Sequence, residues 1–352
     1  MTLTTFPYDP LLDLAPWVGQ RQATYTFQLI NGVTGLHKGY INPIRGASLS
    51  HDTSRTIKRQ LSMALGQTDT ELVDPLVDRV LVRMVFPNGQ SYPLGKYMFT
   101  DSSLAKYVNG RLGAMALNDE MFLVDQQIDK GIDGVNRGIN DLLVRTLADL
   151  PITYKMEASF FVSSQAWTIG AGRGQILQDT ALAGDLFSPW FDNDGDLRFI
   201  RAFDPALSVC DFDFDVVGKV IRAGIVESSD ILTAPNRFIV ISNTTGGNSA
   251  VPLVGVADVP INAPNSFANR GFRIIQTEDL QLTSSSQCQA VANNLALRSV
   301  AFERVTISTA PDPRHDSYNV VQWQGEKWLE LSWSLTLQEG SPMSHLLRKA
   351  YT

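Results

Sequence analysis

Two adjacent His-Asp pairs, His51-Asp52 and His315-Asp316, are the first residues of this sequence whose types could carry a reaction. An imidazole beside a carboxylate, with a serine to activate, is the hydrolase constellation. No G-x-S-x-G elbow presents such a serine, and His315 lies in a turn framed by Pro311 and Pro313. His37 and His345 complete the four histidines, and none has H-E-x-x-H or any other metal-ligand spacing. The four read as solvated turn histidines. Asp211, Asp213 and Asp215 alternate with Phe212 and Phe214, so a strand places three carboxylates on one face. Paired carboxylates can hydrolyse glycosides, and with Glu227 nearby a cell-wall hydrolase is one reading. Three acids along one strand read more simply as a solvent face or a cation-tolerant interface.

Asp192-Asn193-Asp194-Gly195-Asp196 invites calcium, but the EF-hand loop needs glycine at its sixth position and a bidentate Glu at its twelfth. Here Gly195 comes at the fourth and Phe203 stands at the twelfth, so a β-turn between two strands is expected. Gly170, Gly172 and Gly174 match neither the dinucleotide fingerprint nor the P-loop, and a mobile loop is the reading. Trp323, Trp328 and Trp333 could stack on sugars. Strand parity puts Trp333 on an apolar face and Trp328 on the polar one, where a large aromatic suggests contact with another chain. Cys210 and Cys288 lack CxxC spacing and read as small buried hydrophobes. No catalytic, cofactor-binding or metal-binding residue is therefore assigned, and an enzyme is not expected.

The element that must organise these residues is the stretch Glu326 to Gln338. Leu329, Leu331, Trp333, Leu335 and Leu337 alternate with Glu330, Ser332, Ser334, Thr336 and Gln338. That predicts one strand with an apolar face and a hydroxyl-rich face bearing a single charge. At about 3.3 Å per residue it spans roughly 40 Å, about twice the usual strand. Tyr318 to Trp323 precedes it as a shorter strand, with a tight turn at Gln324-Gly325-Glu326.

Upstream, Thr24 to Ile30 alternates. Val80 to Phe86 and Tyr92 to Thr100 flank Asn88-Gly89, a hairpin signal, and Arg111 to Leu117 adds another strand. Helices are expected from Asn118 or Asp119 through Ile128, over Ile139 to Leu150 up to Pro151, over Ile176 to Phe187, and over about Ser285 to Ser299. The expected division is an N-terminal arm at 1–20, a first tube-like β domain at 21–118, and an inserted α+β module at 119–204. A second tube-like β domain follows at 205–245 and 300–340, interrupted by a loop-plus-helix accessory module at 246–299, with a C-terminal tail at 341–352. The fold class is α+β, dominated by antiparallel β structure of barrel or sandwich type.

The chain has 352 residues, 44% of them apolar and 18% charged, which is more than one ordinary core accommodates. A net charge of -7 and a pI near 5.1 leave no large basic surface to grip phosphates. Met1 to Asp13 carries neither a basic flank nor a continuous apolar run, so no signal peptide is expected. No window approaches the roughly 20 apolar residues of a membrane helix, so no membrane segment is expected. Folding in a reducing cytoplasm is the expectation.

The order of elements carries a resemblance. Asp279-Leu280, the helix Gln287 to Ser299, the strand Arg304 to Ser308, the turn Pro311 to Asp316, a strand at Val320 and the long closing strand resemble the carboxyl-terminal half of bacteriophage tail (baseplate) hub proteins. Val220-Ile221 to Glu227, followed by Pro235-Asn236-Arg237-Phe238-Ile239-Val240, is similar to the segment before it. Leu117 to Phe122, Gly138 to Leu150 and Asp194-Gly195-Asp196-Leu197 resemble the family's middle module. The style is closest to hub-like minor tail proteins of actinobacterial siphophages.

The resemblance implies a structural virion protein of the tail tip, assembled in the host cytoplasm. It implies two tube-like β domains per subunit and a homotrimer whose six β units match a sixfold tube. Its implied partners are the distal tail or tail tube ring, the tape measure protein, other tail tip or fibre proteins, and DNA in transit during genome ejection. It implies no cofactor. Hubs of contractile tails often carry a lysozyme module, and none is legible here. The rival readings are a carbohydrate-binding tail protein that touches the host surface through Trp328, and the cell-wall hydrolase.

Overall fold

The closing strand occupies Glu326–Leu337 and lies near the middle of a 13-stranded sheet. The computed structural model describes residues 23–107, 110–216, 219–228, 233–242, 252–299 and 303–351. The arm at 1–20 and residues 246–251 of the expected accessory module lie outside the described residues. The amino-terminal strands are β1 (Thr24–Asn31), β2 (His37–Ile41), β3 (Pro43–Asp52), β4 (Arg59–Leu65), β5 (Asp78–Val85), β6 (Ser91–Tyr107) and β7 (Gly110–Asp119). The middle contributes β8 (Tyr154–Met156), β9 (Trp190–Phe191) and β10 (Leu197–Phe199). The remainder supplies β11 (Phe212–Asp213), β12 (Val220–Ser228), β13 (Arg237–Ser242), β14 (Leu253–Asp258), β15 (Ile275–Asp279), β16 (Glu303–Thr309), β17 (Val320–Trp323), β18 (Glu326–Leu337) and β19 (Met343–Lys349).

The large sheet runs β12-β16-β19-β18-β3-β4-β7-β6-β5-β1-β2, with β17 on β18 and β11 on β17. It joins two β units, and β18 belongs to both. Residues 332–337 of β18 pair with β3, whereas 326–329 pair with β17, and β19 lies along the other side of both halves. Antiparallel register carries one apolar row from Leu335 to Leu49, Leu61 and Leu117, and on to Phe99. These side chains are buried in the first unit's core with Val80, Val82, Met84 and Trp333. The second unit's core is Phe212, Phe214, Val305, Ile307, Val321, Trp323, Trp328 and Leu347.

Strict alternation fails once in β18. A bulge between Glu330 and Ser332 shifts the register, so Glu330 opposite Leu347 and Trp333 opposite His345 share one sheet face. Trp328 is therefore only 4% exposed, inside the second core. This corrects the expectation of an exposed Trp328 at a chain contact. Residues 341–352, expected as a tail, hold β19, which pairs with β16 and β18 and buries Met343, His345 and Leu347 on one face.

The middle is helical: α1 (Gln67–Leu72) decorates the first unit, then α2 (Met121–Val124), α3 (Ile139–Leu147) and α4 (Arg173–Ala183) follow β7. A four-residue α5 (Phe267–Arg270) precedes β15, and α6 (Ser285–Ser299) follows it. Strand β13 does not enter the large sheet; it pairs antiparallel with β14 and parallel with β15, and α6 covers this small sheet. Gly255 permits that cover, since a Cβ there would sit 2.2 Å from the Cys288 carbonyl carbon. One core unites the helices with the small sheet: Leu143, Leu177 and Phe199 pack with Phe238, Val240, Val291 and Ala292. The fold is α+β and β-dominated, as the alternating segments predict.

Candidate functional site

Two features stand out, one on the surface and one buried. On the face of the large sheet opposite the apolar row, register aligns Ser334, Ser50, Gln60 and Asn118, and beside them Thr336, Ser48, Ser62 and Ala116. Ser48 and Ser62 share a 2.8 Å hydrogen bond, and the Asn118 side-chain amide donates to Thr100 at 2.9 Å. Ser48, Ser50, Gln60, Ser62, Thr100, Ala116, Asn118 and Phe122 line an open concavity with no charged side chain in its wall. A surface of short hydroxyls and amides binds water readily, and the one cation bonded to these side chains, Arg55 on Gln60, is itself paired with Asp52.

The buried feature is centred on Glu330, which the β18 bulge turns inward at 1% exposure. His315 Nδ1 lies 2.8 Å from Glu330 Oε2, and His345 Nδ1 lies 2.6 Å from Oε1. The His315 ring stacks on Phe212 at 3.8 Å between centroids, and the two imidazoles are 4.5 Å apart. His345 Nε2 reaches the Thr309 hydroxyl at 2.8 Å, while His315 Nε2 is buried with no hydrogen-bond partner.

Burial works against every charge in this cluster. For Glu330 the two histidines outweigh it and hold the carboxyl down at about 2. For His315 burial is outweighed by Glu330, so its pKa is raised. His345 is pushed down by burial and by His315. Glu330 is thus held as the carboxylate, and the two imidazoles beside it are driven in opposite directions. His51 is also buried, 2.6 Å from Ser317 Oγ, and burial together with Arg59 holds its pKa well below the usual imidazole range. The reading of these three histidines as solvated is overturned: His315 lies in the proline-framed turn before β17, and His51 and His345 lie on β3 and β19, each directly opposite Trp333 on the inward face of the sheet. Among the four, His37 is exposed, edge-on to Tyr40.

Lys58 and Arg59, adjacent at the start of β4, tie the modules together. The Lys58 ammonium donates to the Thr53 and Arg55 carbonyls and to Ser188 Oγ at 3.0 to 3.1 Å. Arg59 is fully buried and donates to Leu94 O, to Asn193 Oδ1 at 2.5 Å and to Asp316 Oδ1 at 2.6 Å. Asp316 also accepts from Trp190 Nε1 at 2.9 Å. The His315-Asp316 pair therefore divides between two networks and forms no triad.

The remaining candidates have structural roles. Asp192-Gly195 is a turn, with Gly195 at φ 86° and its N–H bonded to the Asp192 carbonyl. Lys155 and Arg198 neutralise Asp192 and Asp196. Gly172 caps α4, and Gly174 leaves room for Asp125, whose carboxylate would overlap any Cβ there. Backbone hydrogen bonds fix this loop at Gly170 and Arg173, in place of the expected mobile loop. Asp211 accepts from the Val320 N–H, Asp213 from the Asp215 N–H, and Asp215 from Gln324 and Gly325, both at positive φ in the β17-β18 turn. The Glu227 side chain lies outside the described part. Cys288 is buried, and Cys210 is partly exposed.

No protein-family model matches the sequence, and no curated protein is similar to it. Solved structures are similar in fold. A tail protein from Neisseria meningitidis aligns over 92% of this chain and 96% of its own, with a TM-score of 0.60 at 14% identity. The 43 kDa tail protein of prophage MuSo2 from Shewanella oneidensis aligns over 92% of this chain and 98% of its own, with a TM-score of 0.61 at 11% identity. A Francisella PdpA-VgrG complex aligns over 97% of this chain and 60% of the matched chain, with a TM-score of 0.52 at 10% identity. At these identities the likeness is one of fold. No helix among the described residues is long and apolar enough to cross a membrane.

Proposed function

We propose that this chain is a structural protein of a phage tail tip, a homotrimeric hub ring that joins a sixfold tail tube to a threefold tip. The observation that carries this reading is the continuous sheet in which two β units share β18. Three subunits with two β units apiece present six to a tube ring above while keeping threefold symmetry below. The whole-chain likeness to tail proteins supports the same assignment. In such a ring the hydroxyl-rich face of Ser48, Ser50, Ser62, Ser334 and Thr336 lines the lumen, where DNA slides without being held. The tape measure protein ends in that lumen, and tip or fibre proteins attach below. The sugar-binding rival drew on exposed aromatics and long polar loops, and of these Trp328 is buried, while Asp211 and Asp213 are engaged as hydrogen-bond acceptors of the backbone.

Light scattering of the purified full chain over a broad concentration range, alongside electron microscopy of particles with this chain labelled, tests the reading. A trimer, or threefold density at the tail end, is expected. A monomer at every concentration, together with label absent from the tail tip, overturns it.

A further inference from the structure

The hydrogen bonds around His345 leave a place for a cation. The Thr309 hydroxyl has one hydrogen but two acceptors at 2.8 Å, the Ala310 carbonyl and His345 Nε2. If it serves the carbonyl, Nε2 must carry a proton and donate to Thr309 Oγ1. A neutral His345 then turns a bare Nδ1 lone pair towards Glu330 Oε1 at 2.6 Å, where two lone pairs cannot coexist. A second proton resolves the clash, and so does the other tautomer, in which the Thr309 hydroxyl donates to Nε2 and Nδ1–H donates to Glu330. A cation between Nδ1 and the carboxylate resolves it as well, in the place of that proton.

The other donors fit. His315 Nδ1 faces the second carboxylate oxygen, its Nε2 has no partner to dictate the tautomer, and stacking on Phe212 fixes the ring. One ligand atom from each of His315, Glu330 and His345 falls within a 4.8 Å cluster, and all three residues are buried. The chain His345 Nε2–H to Thr309 to the Ala310 carbonyl is the kind of outer partnership that orients a metal-bound imidazole. We propose that His315, Glu330 and His345 bind one divalent transition metal ion of the zinc class. Two imidazoles and a carboxylate suit zinc, at about 2.0 to 2.2 Å per ligand. Tetrahedral coordination at those lengths separates ligand atoms by about 3.3 Å, so the present 2.6 and 2.8 Å contacts open by roughly half an ångström on binding. The fourth position is filled by water from the small cavity lined by Phe212, Phe214, Lys219, Thr309, Asp312 and Arg314, where Arg314 is paired with Asp312. The ion then staples the 310–319 turn to β18 and β19, and binding displaces the protons that Nδ1 would otherwise hold.

The test uses the untagged full chain. Elemental analysis after purification without chelator is expected to give about one equivalent of zinc, and chelator-stripped protein is expected to take up about one equivalent of Co(II) with visible d–d absorption. Glu330→Gln and His345→Gln are expected to lose more than about tenfold in metal affinity. Should those variants misfold, competition of the stripped wild-type chain against a chromophoric zinc chelator decides by itself. Wild-type protein that carries no transition metal and takes up neither zinc nor cobalt overturns the proposal, leaving a proton-linked triad. None of these readouts depends on the chain's place in a tail.

Discussion

Replacing Arg59 with Met tests whether the β units and the middle module are held by one buried charge pair. The guanidinium is fully buried, with Asn193 of the middle module on one nitrogen and Asp316 of the 310–319 turn on the other. It also sits 5.5 Å from the centre of the Trp333 ring. Met keeps much of the apolar stem but leaves Asp316, with 16% side-chain exposure, without its cation. Breaking a buried pair from one side costs about 3 to 5 kcal/mol, because the remaining charge is uncompensated. Trp190 Nε1 and the Ser317 N–H still donate to Asp316, which places the expected loss at the lower end, about 3 kcal/mol. In a chain of this size that is a fall in Tm of roughly 4 °C. The double variant Arg59→Met with Asp316→Asn should recover a large part of the loss, because it removes both charges. Scanning calorimetry of the two single variants and the double variant measures the coupling. Arg83→Met, at an exposed Ser91 contact, serves as a control expected within about 0.5 kcal/mol of the parent. A loss below about 1 kcal/mol for Arg59→Met, or no recovery in the double variant, would refute the reasoning.

Two other outcomes follow from the same packing. Leu61→Ala removes the centre of the Leu335–Leu49–Leu61–Leu117 row and should cost about 2 to 5 kcal/mol in chemical denaturation, whereas Ser62→Ala on the opposite face should cost under about 1. Lys58 gives a pH dependence of unusual sign: burial brings its pKa down to about 8 from 10.5, so the unfolded chain binds the extra proton between those values and stability rises with pH. Between pH 7.5 and 9.5 the gain from this group is about 2 kcal/mol, read from urea midpoints, and Lys58→Met should flatten it.

Alternation predicted the strands around β18 because its apolar side chains face a core along a wet sheet, and the hairpin at Asn88-Gly89 and the turn at Asp192-Gly195 follow from local backbone preferences. What alternation cannot carry is a bulge. Leu331 looks like one more member of an apolar face, yet the shift beside it places Glu330 and Trp328 on the inner side. The buried His315–Glu330–His345 cluster was illegible for the same reason and because its members sit on a turn and two strands, at no recognised ligand spacing. One signal was present: Glu330 is the single charge within an otherwise uncharged run from Leu329 to Gln338, and a lone charge there asks for a buried partner. The pairing of β13 with β14 and β15, away from the large sheet, depends on where α6 lands, and no local pattern encodes that.

Sharing β18 has a mechanical consequence. A hinge between the two β units would have to break the ladder from β18 to β3 or to β19, along with the buried Arg59 contacts that reach from β4 to the middle module and the 310–319 turn. Hinges form where few such bonds cross, so the two units of one subunit move together. If three such subunits surround a passage, its opening occurs between subunits, where no strand is shared. Hydrogen exchange discriminates: the amides of 332–337 should be protected to the same degree as those of 326–330, because both halves of β18 open only when the joint sheet does. Exchange of one half at a rate tens of times that of the other would place the hinge within the subunit and separate the two β units as independent bodies.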